Sequence, residues 1–139
     1  MLFGRQRGAS LLSMLLMFIG FAFALTVFLK LFPVYQDDIY VGQALKALAE
    51  KHPSDLADLT KPQIMNELST FYTLNNVRSE AANPEHLQIE RLREKTIIRI
   101  NYEVRVPFIK NIDVVAWFKN ELDTSKPQAC CKPSEISKK

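Results

Sequence analysis

The side chains able to do chemistry in this sequence are few and far apart. Histidine stands at positions 52 and 86, cysteine at 130 and 131, and two acids are paired at Asp37-Asp38. A zinc site asks for about four nitrogen or sulfur ligands at short, repeated spacings. His52 sits beside Pro53, His86 opens a strand pattern, and neither has a cysteine or second histidine nearby. Asp37-Asp38 offers two carboxylates without the further oxygen ligands a calcium or magnesium ion requires, and reads as a solvated helix face. Ser54, Ser69 and Ser79 lack the flanking glycines of a nucleophile elbow. Glycine occurs at 4, 8, 20 and 42, never in a phosphate-binding fingerprint. The residue types therefore point away from an enzyme, with no catalytic residue, metal ligand or cofactor expected. Cys130 and Cys131 are neighbours in a tail; a ring closed between them is strained, and they cannot staple a core from there.

The element that dominates the chain is apolar. From Ala9 to Leu29 no side chain is charged, directly behind Arg5 and Arg7. At about 1.5 Å of helical rise per residue this run reaches roughly 31 Å, against a hydrocarbon core of roughly 30 Å. A soluble helix in so short a chain would keep a polar face. The run predicts a transmembrane helix over 9–32, preceded by a basic cytoplasmic leader over 1–8. Lys30 can snorkel to the interface, with Tyr35 and Tyr40 at about headgroup level. Arg5 and Arg7 before the span outweigh Lys30 after it, which places the N-terminus in the cytoplasm and the rest outside, in the periplasm of a Gram-negative cell. Ala22-Phe23-Ala24 has the small-x-small form of a signal-peptidase site, but Leu25 to Leu29 continues the apolar run, so the segment is read as retained. Gly20 and Ala24, four residues apart, form a small-residue pair through which a second helix could approach, giving a homo-oligomer.

About a hundred residues remain, enough for one small domain. Pro33 is placed to kink or end the first helix. Val34, Val41, Leu45 and Leu48 then recur on one helical face as far as Lys51, and Pro53 closes that element. Thr60 and Gln63 have capping-box spacing ahead of a second amphipathic helix carrying Ile64, Leu68, Phe71 and Tyr72, which ends near Asn75-Asn76. Ser79 to Glu85 reads as a loop. After His86 the period becomes two: Leu87 and Ile89, then Ile98, Ile100, Tyr102, Val104 and Val106 opposite Arg99, Asn101, Glu103 and Arg105, then Ile112, Val114, Ala116 and Phe118 beyond a turn at Lys110-Asn111. The fold class is α+β: two amphipathic helices packed on an antiparallel sheet of about three strands over 33–124, then a disordered tail over 125–139.

A net charge of +3 and the lack of a basic stripe interleaved with aromatics argue against nucleic acid as a partner. Arg91, Arg93, Lys95, Arg99 and Arg105 gather around the first two strands and could meet an acidic partner or anionic headgroups; a solvated sheet face is the plainer reading. The partners expected are the lipid bilayer and other envelope proteins.

Two resemblances follow. The leader Met1 to Gly8, a small residue and a long apolar helix resemble a type IV prepilin, which implies cleavage between Gly8 and Ala9 and assembly through the apolar helix. The fifth residue counted from Ala9 is Ser13, where that family normally carries a glutamate. A long helix leading into a helix-backed antiparallel sheet is also the plan of pilins. Gly8-Ala9-Ser10-Leu11-Leu12, Phe32-Pro33-Val34-Tyr35, Tyr102-Glu103-Val104-Arg105-Val106-Pro107 and Asn111-Ile112-Asp113-Val114 resemble a family of small uncharacterised Gram-negative inner-membrane proteins (a domain of unknown function), often encoded beside signal peptidase I and ribonuclease III. That resemblance implies a single-pass envelope protein with no established activity.

Overall fold

The structure is a computed structural model in which residues 10–131 are described. The Gly8-Ala9 junction and the leader lie outside the described residues. The first helix, α1, spans Leu11–Lys51 without a break. Ser10 caps it, its Oγ accepting the Ser13 amide at 3.2 Å. At about 1.5 Å per residue it is roughly 60 Å long. Pro33 lies inside it rather than at its end. An interior proline costs about 3 kcal/mol. Downstream, Val34, Val41, Ala44, Leu45, Leu48 and Ala49 are all buried. Each large aliphatic among them is worth about 1.5–3 kcal/mol, so packing carries the helix through the proline. The expected transmembrane and first amphipathic helices are thus one rod.

Its two halves differ in surroundings. No residue from Leu11 to Leu29 is buried by the fold, with Leu11 86% exposed and Phe21 67%. This half is long and apolar enough to cross a membrane. The other half is embedded. Helix α2, Lys61–Leu74, lays Ile64, Leu68 and Tyr72 into the same core. Gln63 secures its start, its Oε1 accepting the Thr60 amide at 2.9 Å and the Thr60 hydroxyl at 2.8 Å. It ends where expected, with Asn76 in the left-handed region at φ 52°, a conformation asparagine tolerates. Within the expected loop stand a short helix α3, Ser79–Ala82, and a 3₁₀ turn at Pro84–His86.

Three antiparallel strands follow in a meander: β1 Leu87–Arg91, β2 Thr96–Ile109 and β3 Ile112–Asp123. The turn falls at Lys110-Asn111, with Tyr102 opposite Phe118 and Val104 opposite Ala116. A bulge interrupts the ladder between Pro107 and Ile109. Strand β3 runs to Asp123, five residues past Phe118, because Phe118, Asn120 and Leu122 keep alternating into the core. The last described residues fold back: Pro127–Ala129 form a 3₁₀ turn, and Cys131 bridges to Glu121. Cys130 and Cys131 pack beside the core, with Cys131 Sγ 3.2 Å from the Gly42 carbonyl oxygen.

Candidate functional site

A cluster of long-range polar contacts lies where α1 leaves its bare half and meets the β2–β3 hairpin. Asp38 sits on α1, part-buried beneath the sheet. Its Oδ1 accepts Asn120 Nδ2 from β3 at 2.6 Å and the Tyr102 hydroxyl from β2 at 3.2 Å. One carboxylate therefore ties both long strands to the helix. Burial, reinforced by Asp38, pushes the Tyr102 hydroxyl well above the ordinary tyrosine range, so the phenol stays a donor. Tyr102 also stacks on Phe118, ring centroids 5.3 Å apart, and Phe118 meets Tyr35 edge-on at 5.4 Å. The neighbouring Asp37 turns to Arg78, 3.5 Å away. Burial raises its carboxyl despite that guanidinium. The acidic pair is thus split between two structural joints, and Asp38 does not lie on a free solvated face.

A third joint lies further toward the N-terminus. Lys30 Nζ donates to the carbonyls of Pro107 at 2.8 Å and Phe108 at 3.3 Å, and lies 5.5 Å from the Phe108 ring centroid. Phe108 in turn meets Phe23 edge-to-face, centroids 5.7 Å apart. The hairpin tip consequently overlaps the apolar half of α1.

The basic residues singled out from sequence are dispersed along the sheet. Arg91 donates to the Leu59 carbonyl at 2.9 Å, Lys95 pairs with Asp123 at 3.0 Å, and Arg105 with Glu103 at 3.5 Å. Arg99 is held between Glu121 and Glu90 at 3.0 and 2.6 Å. Arg93 occupies the β1–β2 turn, with no carboxylate or carbonyl partner among the described residues. Gly20 and Ala24 are both exposed, and a Cβ on Gly20 would meet nothing within 4 Å, so this stretch of helix is open to approach.

His52, the C-cap of α1, has Asp55 at 3.2 Å from one ring nitrogen and Glu67 at 4.0 Å from the other, and His86 lies against the Tyr102 ring. Among the described residues no group of three or more His, Cys, Asp or Glu side chains is close enough to hold a metal ion. An open cleft of about 200 Å³ runs between α1 and α2, floored by Ala44, Ala47, Leu48 and Phe71, with Lys51 and Glu67 among its walls. Leu74 at its edge is 77% exposed. Sequence reasoning missed the roles of Asp38, Asn120 and Lys30, since a lone polar residue on an amphipathic element carries no mark of a partner some eighty positions away.

Helix, hairpin and cleft define a small α+β domain carried on a bare apolar helix. The chain belongs to the family described as Domain of unknown function (DUF4845), whose model matches residues 30–118. The matched segment starts at Lys30 and ends at Phe118, so it takes in Asp38, Tyr102 and the Lys30 contacts to Pro107 and Phe108, stops two residues short of Asn120, and omits the apolar half of α1. No curated protein and no solved structure matches the chain.

Proposed function

We propose that this chain is a single-pass protein of the inner membrane, with its leader in the cytoplasm and its α+β domain in the periplasm. The domain binds other envelope proteins and does not turn over a substrate. The observation that carries this reading is the division of α1: no residue from Leu11 to Leu29 is buried, while the same unbroken helix supplies six buried residues to the domain from Val34 onward. An apolar surface of that length left bare by its own fold calls for lipid. The α1–α2 cleft, with Phe71 in its floor and exposed Leu74 at its edge, supports an interaction role. Photo-crosslinkers placed at Phe71 and Leu74 in cells should yield discrete adducts with envelope proteins. Turnover of a substrate by the purified protein, abolished by changing one polar side chain, would overturn the reading.

The unbroken rod also favours a second reading, a pilin-like or pseudopilin-like subunit processed after Gly8 and assembled through its apolar helix. A mass for the membrane-extracted protein that lacks the first eight residues would support it. An intact leader would rule it out.

A further inference from the structure

The tip of the β2–β3 hairpin extends past the domain, alongside the apolar half of α1. We infer that this tip, Pro107 to Ile112, is a second membrane-contacting element that dips into the lipid leaflet beside the helix; the inference rests on the anchoring proposed above. Four observations carry it.

The first is depth. Phe108 packs on Phe23, and Phe23 lies seven residues before Lys30, about 10 Å along the helix axis. If the bare half of α1 is in lipid, the tip that touches Phe23 is at the same level. The second is surface: Ile109 and Ile112, paired in register at the tip, are each 57% exposed. Exposed isoleucines at a turn are costly in water and favourable against acyl chains.

The third is backbone satisfaction. Lipid supplies no hydrogen bonds, so polar groups of the chain must find partners within the protein. The bulge at Pro107–Ile109 interrupts the ladder, and Lys30 donates to the carbonyls of both Pro107 and Phe108. The ammonium is itself compensated by those two oxygens and the Phe108 ring. The fourth is the placement of charge. Asp113 pairs in register with Pro107, and Arg105 precedes it on the outward side. Together with Lys30 they mark a polar level above which the hairpin stays in water. Lys110 at the turn has a stem long enough to reach back to lipid phosphates.

The test uses the full chain reconstituted in vesicles of phosphatidylcholine and phosphatidylglycerol, with or without acyl-chain-brominated phosphatidylcholine. Trp117 is the sole tryptophan, about 17 Å along β3 from Ile112 at strand rise, and serves as the reference. Two further proteins carry W117F with either I112W or I109W, so that a local packing defect in one leaves the other informative. Both should emit at shorter wavelength than the reference and lose most of their intensity in brominated vesicles. Water-like emission from both, quenched by iodide and untouched by brominated lipid, overturns the inference. Flotation of the same samples separates the two claims. A chain that floats with vesicles while its tip stays unquenched refutes tip insertion alone, and a chain that fails to float refutes the anchoring as well.

Discussion

Removing the Asp38 carboxylate is the sharpest perturbation of the domain. Asp38→Ala deprives Asn120, itself 6% exposed, and Tyr102 of their common acceptor. Hydrogen bonds to a charged group contribute about 1.5–3 kcal/mol each, and a buried donor left without a partner costs about 1–3 kcal/mol. Asp38 is only part-buried, so water entering where its carboxylate stood recovers some of the loss. The net cost should be near 3 kcal/mol, a large share of the roughly 5–15 kcal/mol that holds a domain together. Hydrogen exchange on the detergent-solubilised full chain reads this directly. Amides of β2 and β3 around Tyr102 and Asn120 should exchange roughly 100-fold faster, while those of the apolar half of α1 are unaffected. Asp38→Asn keeps an acceptor oxygen but loses the charge, and should cost about 1 kcal/mol. Unchanged protection of both strands in Asp38→Ala would refute the reasoning, because the carboxylate would then not be what ties the hairpin to the helix.

Other expectations follow from the same contacts. Among the described residues the buried Tyr72 hydroxyl has no hydrogen-bond partner, so Tyr72→Phe should leave the urea midpoint unchanged or raise it, by up to about 1 kcal/mol in stability. Burial raises the pKa of both Tyr72 and Tyr102 in the folded chain. Their contribution is therefore complete below the unfolded tyrosine value of about 10 and is lost as pH rises beyond it. Stability followed across alkaline pH should fall steeply there, and less steeply in Tyr72→Phe. Lys30→Met strands the Pro107 and Phe108 carbonyls and should cost about 1–3 kcal/mol, read as faster exchange at Val106 to Asn111, with Lys30→Arg retaining most of the protection.

The α+β plan was legible because its signals are local. Alternation from Ile98 to Val106 dictates which face is buried, and the turn at Lys110-Asn111 sits between two such runs. Capping and chain reversal around Thr60-Gln63 and Asn75-Asn76 are likewise written in adjacent residues. What sequence obscured was long-range. Pro33 reads as a breaker because its cost is local, whereas the burial of Val34 to Ala49 that outweighs it depends on a sheet folded far downstream. Strand β3 outruns its apolar pattern since Asn120 is inward-facing and polar, a choice that makes sense only once Asp38 lies opposite. Lys30 reads as a snorkelling flank, yet its ammonium is spent on the hairpin. Basic residues on β1 and β2 look like a patch until Glu90, Glu121 and Asp123 are brought beside them.

The central claim is that the bare half of α1 lies across a bilayer with the domain on the far side of it. Alkaline carbonate extraction of membranes, combined with protease added to intact spheroplasts of a Gram-negative host expressing the full chain, tests both parts together. The account predicts a protein that stays in the membrane pellet and loses the segment after Pro33 to external protease. Release into the carbonate supernatant would contradict the anchor, and full protection in sealed spheroplasts, lost on lysis, would reverse the orientation.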